Sequence, residues 1–300
     1  MSDGHEPVLL NEVMEWLAPH PGGRYCDATV GLGGHAREIL RRSAPDGRLV
    51  GLDRDRDAIA AAGATLAEFG DRVTLVHTPF SQVRDALTRV GAVPVDGFLV
   101  DLGVSSPQLD RPERGFSFRD SGPLDMRMDQ SQGETAGELL RRIDEQELET
   151  IIRDYGEERY ARRIARAIVE ARDRGELDST GALGTIVARA MPRHEWHKNP
   201  ATRTFQALRI AVNQELAQIE QLLDQMADCL RPGGRLCIIA FHSLEDRIVK
   251  RRLRELAGRG GTGAPPRVRL LNKHVIVAGD EERERNPRAR SAKLRAAERI

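Results

Sequence analysis

The sequence predicts an α/β fold with a mostly parallel sheet, and three observations carry that expectation. Four short apolar runs, ending at Asp27 and covering residues 49–53, 73–78 and 95–102, alternate with helical segments. That rhythm belongs to strands joined by right-handed crossovers. The first run, R-Y-C-D, passes into a glycine turn, A-T-V-G-L-G-G-H, from which a helix opens at Gly34. The strand ends carry Asp27, Asp53, Phe80 and Asp101, and in doubly wound sheets ligands bind at the carboxyl ends of strands. Each acid alone reads as a turn residue or N-cap. Three acids and an aromatic at corresponding ends read as one pocket.

The remaining elements follow in order. Residues 5–17 place apolar side chains at helical spacing, an amphipathic helix expected against the sheet edge. Residues 34–42 form the helix after the turn, and A-P-D-G at 44–47 is a turn. Helices are expected at 57–69 and 81–90, the latter capped by Ser81. After Asp101 the alternation stops in a long polar, turn-rich stretch. Phe116, Phe118, Met126 and Met128 argue that it is ordered. Residues 135–191 are helical, opened by T-A-G-E at 135 as a capping box and by D-E-Q-E at 144, which resembles one. A long helix at 202–230 stops at P-G-G, a fifth strand covers 235–241, and Ser243 caps a helix to about residue 257. Residues 258–266 read as a linker, and 274–278 with 291–300 as an antiparallel pair on the sheet edge.

The glycine turn carries the chemistry. Gly31 and Gly33 leave no Cβ in the way, so a ligand approaches the backbone closely. The helix from Gly34 directs its N–H groups and positive dipole end at that space. The spacing G-x-G-x-x-A with Asp53 about 20 residues on matches a ribose-holding fingerprint. Asp27 changes the ligand expected there: a carboxylate at the strand end repels a pyrophosphate and suits a cationic amino group. S-adenosylmethionine has that ammonium and no phosphate.

Bulk properties exclude several classes. Three hundred residues bury a full core as one large domain or two smaller ones. No run of roughly 18 apolar residues exists, so no membrane span is expected, and the acidic start without an apolar core is not a signal peptide. Cys26, Cys229 and Cys237 are scattered in apolar segments, as buried thiols in a reducing cytoplasm. His194 and His197 lack a third ligand at supporting spacing, so no metal is expected. The formal net charge of zero hides an asymmetry: residues 247–300 carry 16 Lys/Arg against 6 Asp/Glu, a surplus of +10. A basic end suggests nucleic acid, although a solvated helix face plus a tail explains the charges alone better.

These stretches resemble the small-subunit ribosomal RNA methyltransferase H family, also called MraW, along nearly the whole chain. The matching motifs are H-E-P-V-L-L at His5, D-A-T-V-G-L-G-G-H at Asp27, G-L-D-R-D at Gly51 and D-L-G-V-S-S-P-Q-L-D at Asp101. They continue with R-G-F-S-F at Arg114, G-P-L-D-M-R-M at Gly122, Y-G-E-E-R at Tyr155 and N-P-A-T-R-T-F-Q at Asn199, then F-H-S-L-E-D-R-I-V-K at Phe241 and N-P-R-A-R-S-A-K-L-R at Asn286. The resemblance implies a class I, Rossmann-like S-adenosylmethionine-dependent fold with a seven-stranded sheet, residues 1–110 and 205–300, and a helical insertion, 111–204, that recognises substrate. It implies N4-methylation of a cytosine, cytosine 1402, in the P-site region of 16S rRNA of the small ribosomal subunit. The cofactor positions it implies are Gly33, Gly34, His35, Asp53, Phe80, Asp101 and Gln108, to which physical reasoning adds Asp27. The N4 acceptor is expected among Asp101, Ser105 and Ser106. Arg203, Arg247, Lys250 and Arg251 are expected to meet RNA phosphates, and a homodimer is allowed.

Rival readings use parts of the same pattern. A nicotinamide-dependent oxidoreductase shares the glycines and Asp53, but Asp27 and the absence of a hydride-transfer pair after the fourth strand stand against it. A non-catalytic RNA-binding assembly factor needs the basic segment and no competent cofactor pocket. A DNA or small-molecule methyltransferase keeps the fold, and only the family resemblance decides against it.

Overall fold

The computed structural model describes residues 6–192, 199–261 and 265–300, so the His194/His197 pair and part of the expected linker lie outside the described residues. The chain divides into two compact units, Met1–Gly103 with Leu216–Ile300, and Val104–Glu215.

The first unit holds the sheet. Its strands are β1 (Arg24–Asp27), β2 (Arg48–Asp53), β3 (Val73–His77), β4 (Val95–Asp101), β5 (Leu230–Ala240), β6 (Val268–Leu270) and β7 (Lys293–Arg299), in the order β3-β2-β1-β4-β5-β7-β6. The first five pair in parallel, whereas β7 runs antiparallel to both β5 and β6. Parity along each strand sorts side chains between two buried layers. Cys26, Val50, Phe98, Val100, Leu236 and Ile238 face one way. There they meet α4 (Val83–Arg89), α11 (Glu215–Cys229) and α12 (Ser243–Leu256) through residues such as Leu87, Leu223 and Leu253. Tyr25, Leu49, Leu99, Cys237 and Ile239 face the other way. That side is covered by α1 (Leu10–Leu17), α2 (Gly34–Arg42) and α3 (Arg56–Leu66). Each fully buried aliphatic or aromatic side chain here contributes about 1.5–3 kcal/mol of transfer free energy. All three cysteines are free and buried.

Six details differ from the sequence reading. Helix α1 packs on β4, β5 and β7, the middle of the sheet, because two strands lie beyond β5. A 3-10 turn, Phe80–Gln82, precedes α4, whose N-cap is Gln82 rather than Ser81. The expected helix 202–230 breaks at Gln214, a non-glycine residue at φ 50°. Strand β5 begins at Leu230, opposite Val95, and the ladder resumes only at Arg235 opposite Gly97, so residues 231–234 bulge out. Helix α12 is capped by His242 in a box with Glu245, not by Ser243. At the C-terminal end, residues 274–278 contribute a single bridge, Ile276 to Leu294, while β7 lies inside the sheet and the short β6 forms its edge.

The second unit contains α5 (Ser106–Asp110), α6 (Ala136–Arg142), α7 (Glu145–Gly156), α8 (Ala161–Asp173), α9 (Thr180–Ala190) and α10 (Thr202–Asn213). Their inward faces, including Leu140, Leu148, Ile152, Ile164, Ile168, Leu183, Phe205 and Leu208, form a separate core. Thr135 and Asp144 cap α6 and α7 as expected. Residues 111–134 are ordered by specific bonds. The Met128 N–H donates to Asn213 Oδ1 (2.8 Å), and Asn213 Nδ2 donates to the Met126 carbonyl (2.7 Å). Arg114 reaches the carbonyls of Arg127 and Met128 at 3.2 and 2.9 Å. Phe118 meets Phe205 edge-on at 5.0 Å. Phe118 therefore helps pin this stretch to its own unit.

Candidate active site

Strands β2, β1 and β4 lie side by side, and their register explains why their acids converge. Asp27 stands opposite Gly51 and Leu99. Asp53 and Asp101 are therefore one pleat farther along, on the two flanking strands and on the same face. The turn after β1 is tied to both neighbours. The Ala28 N–H donates to the Leu99 carbonyl (2.9 Å), the Val30 N–H to the Leu52 carbonyl (2.8 Å) and the Gly31 N–H to Asp53 Oδ2 (2.9 Å). The Asp101 N–H donates to the Thr29 hydroxyl at 2.6 Å.

The three glycines have different jobs. A Cβ on Gly33 would lie 3.2 Å from Leu66 Cγ, and one on Gly34 would lie 2.5 Å from Pro7 Cγ. Packing against Pro7 thus requires Gly34 to be small, whereas at position 33 the left-handed φ of 84° is what calls for glycine. A Cβ on Gly31, at φ 52°, would meet nothing closer than the Thr29 carbonyl at 3.8 Å. The open space beside the turn is at Gly31, next to the carboxylate of Asp53.

The electrostatics of this edge are unusual. Asp27 is 1% exposed. Burial raises its pKa to about 7, against the Thr29 N–H that it accepts and helped by the nearby Asp53 charge. That bond makes Asp27 the pivot of a two-residue Asx turn at the start of the glycine loop. Burial also lifts Asp53 to about 6, although its two oxygens receive the N–H groups of Gly31 and Asp55. Asp101 is pushed well above the carboxylate range by burial and by the charges of Asp27 and Glu245. Its Oδ1 is buried with no hydrogen-bond partner among the described residues. A cation bound here would relieve all three penalties at once.

The structure brings Asp27, Asp53, Asp101, Gly33, Gly34 and His35 to this one edge. The His35 ring is buried, with Nε2 2.9 Å from the Val8 carbonyl and Nδ1 3.9 Å from Asp101 Oδ2. Phe80 follows β3 in the 3-10 turn, half-buried against the core. Ser105, Ser106 and Gln108 belong to the second unit. There Gln108 Oε1 accepts the Ser105 N–H at 3.0 Å and the two residues form a capping box on α5.

The expected phosphate-binding residues are differently placed. Arg247, Lys250, Arg251 and Arg254 line the exposed face of α12 at helical spacing. Arg251 is in ion pairs with Glu220 (3.1 Å) and Glu255 (4.0 Å). Arg203, in the second unit, lies 3.5 Å from Glu158. Acids of α11 thus offset part of the basic surplus: Asp224 meets Arg252 at 2.7 Å, and Asp228 meets Arg84 at 2.6 Å and also Arg267.

Two residues of the site escaped the sequence reading. Thr29 holds the backbone of Asp101, and its signal was the Asp-x-Thr spacing of an Asx turn. Glu245 is fully buried, and its Oε2 accepts the N–H groups of Phe241 (2.8 Å) and His242 (3.2 Å) where β5 ends. Its signal was an acid three residues after a helix cap.

The residues fit a cationic nucleoside such as S-adenosylmethionine. They present mutually repelling carboxyls, an uncommitted buried carboxylate oxygen on Asp101 and room at Gly31 beside Asp53. Comparison with known proteins agrees. A family model described as the MraW methylase family matches residues 2–300. A protein of Pelobacter propionicus named "Ribosomal RNA small subunit methyltransferase H" is 50% identical, covering 99% of this chain and 98% of its own. Proteins of the same name from Geobacter sulfurreducens and Nitratidesulfovibrio vulgaris are 51% and 52% identical, covering 100% and 99% of this chain and 100% and 95% of theirs. With its sheet order and its carboxylate-lined turn, this chain is an S-adenosylmethionine-dependent class I methyltransferase and belongs to the MraW methylase family.

Proposed function

We propose that the protein methylates small-subunit ribosomal RNA, at N4 of cytosine 1402 of 16S rRNA, acting in the cytoplasm. The observation that carries a methyl-transfer reading is the trio of a buried Asp27 and half-buried Asp53 and Asp101, gathered at the carboxyl ends of three adjacent strands. The RNA substrate is supported by the printed names of relatives about half identical over nearly the full chain. The cytosine N4 target rests on the motif resemblance.

S-adenosylmethionine, when bound, supplies a methyl group activated by its sulfonium. The protein's share is placement, which is worth up to roughly 7–11 kcal/mol of barrier. Asp53, its carboxylate already fixed by the Gly31 and Asp55 N–H groups, would hold the nucleoside's ribose. The open backbone at Gly31 and the start of α2 would take the nucleoside's remaining polar groups. Cytosine N4 is a poor nucleophile because its lone pair is delocalised into the ring. A hydrogen-bond acceptor on the amino group favours its pyramidal form and takes its proton as the new C–N bond forms. Asp101 is the acceptor we assign, because its Oδ1 is buried and uncommitted and its N–H is anchored on Thr29. Ser105 and Ser106, which follow it in the chain, are the alternatives. The helical insertion recognises the RNA, and the α12 stripe meets its phosphates and sets position rather than sequence.

The test is transfer of labelled methyl from S-adenosylmethionine to unmethylated small ribosomal subunits, naked rRNA and DNA, followed by identification of the nucleoside by mass. N4-methylcytosine from the ribosomal substrate is the expected product. Transfer to another base, or to DNA alone, would overturn the assignment.

A further inference from the structure

We infer that residues 6–9 form a strap that positions the cofactor turn, held in place by a clamp from the C-terminal region and acting through His35. The inference rests on the reading that S-adenosylmethionine binds at that turn.

Four consecutive residues each make a contact of a different kind. The Glu6 carboxylate receives Arg285 Nε and Nη2 at 2.6 and 2.7 Å, and its carbonyl receives Asn286 Nδ2 at 3.1 Å. The Pro7 ring covers Gly34 so closely that any Cβ there would collide with it. The Val8 carbonyl accepts from His35 Nε2. The Leu9 N–H donates to Glu282 Oε1 at 2.8 Å, with Leu9 in a left-handed conformation at φ 55°. Residues 6–9 thus cross the first two residues of α2, and α13 (Asp280–Arg285) with Asn286 holds them down.

His35 transmits the placement. A carbonyl only accepts, so the ring donates its Nε2 proton to Val8, and in the neutral ring Nδ1 carries none. That bare nitrogen is the one 3.9 Å from Asp101 Oδ2. The strap's bond thus holds the ring beside the carboxyl proposed to act on the substrate. This arrangement gives a role to two motifs that the chemistry leaves unused, E-P-V-L-L at Glu6 and N-P-R at Asn286. Glu6 and Arg285 are exposed enough that their pair adds little to global stability. Its loss is then felt where the strap touches α2.

The experiment measures S-adenosylmethionine affinity by calorimetry, alongside steady-state kinetics and thermal unfolding, for wild type, R285A/N286A, the swap E6R/R285E, H35A, H35Q and the control R269A. Arg269 pairs with Glu298 at the β6–β7 edge, away from the strap. The clamp variant is expected to weaken cofactor binding about five- to tenfold and raise the cofactor KM alike, with kcat and the RNA KM unchanged. H35A repeats that loss, and H35Q, which can still donate to Val8, recovers most of it. The charge swap recovers affinity to within about twofold of wild type, and R269A keeps wild-type affinity. Wild-type affinity in the folded clamp variant, or an equal loss in R269A, would overturn the strap. Failure of the wild type itself to bind would instead remove the cofactor reading beneath it.

Discussion

The two units treat buried charge in opposite ways. In the helical unit the buried or half-buried charges have partners. Arg127 grips Asp125 through two bonds of 2.8 and 3.0 Å, and Arg209 grips Glu215 through two of 2.8 and 2.9 Å. Burial pushes the Asp125 carboxyl up, yet the bonds from Arg127 and Gln130 hold it below its ordinary value. At the sheet edge, no lysine or arginine pairs with Asp27 or Asp101 among the described residues, and both are pushed upward. One chain thus neutralises charge where charge only builds structure, and leaves it unsatisfied where a cationic ligand is to arrive. Destabilisation confined to one edge of an otherwise well-paired molecule marks the site.

The largest effect should come from D101N. Single-turnover methyl transfer should fall by about 10²–10⁴-fold while thermal unfolding stays at or above the wild-type temperature. A rate within tenfold of wild type would break the contrast, because Asp101 would then be a buried charge without a task. Next comes the pH dependence. Asp27 titrates at about 7 in the folded state against 3.8 ordinarily, so the folded state holds this proton more tightly. Its contribution is fully present below the ordinary value and is lost as pH rises toward 7, by at most about 4 kcal/mol. Urea unfolding of the ligand-free protein should therefore show lower stability at pH 8 than at pH 5. D27N, whose amide oxygen still accepts the Thr29 N–H, should flatten that slope, as should bound S-adenosylmethionine. An unchanged slope in D27N would assign the pH response to other groups.

The helical unit should behave conventionally. N213A removes the side chain that bonds Met126, Met128 and the Arg209 carbonyl, and should cost about 2–4 kcal/mol in denaturant unfolding. A cost below that range would mean that the bonds of Arg114 and Arg127 hold residues 126–128 without Asn213. The smallest change expected is T135A, which deletes the cap of α6 and should cost about 1 kcal/mol with no change in methyl transfer. A large activity loss in T135A would show that the insertion must be rigid for catalysis.

The same contrast governs what the sequence disclosed. The sheet edge was legible because Asp27, Asp53 and Asp101 each end an apolar run, and a strand's end fixes its place in a parallel sheet. The caps at Thr135 and Asp144 were legible because capping is local. What stayed hidden depends on partners distant in sequence. Strand β6 has three residues, too few to show a period, and forms only because β7 offers an edge. The break at Gln214 uses a left-handed residue that is neither glycine nor asparagine, so composition gives no sign of it. The pairing of Glu6 with Arg285 spans 279 positions. The acids of α11 that offset the arginines of α12 are invisible to a count of charge along the chain.

The cysteines carry a practical consequence. Burial raises the thiols of Cys26 and Cys229 and pushes that of Cys237 up to about 12, so none offers a thiolate to solvent at neutral pH. The native chain should therefore be silent toward maleimides. Residues 231–233 of the bulge are exposed and sit at the amino end of β5, the opposite end of that strand from Ile239, which pairs with Asp101. A P232C variant would place a single reactive handle there, and a fluorophore on it could follow ribosomal substrate binding by anisotropy in a chain that needs no cysteine removed.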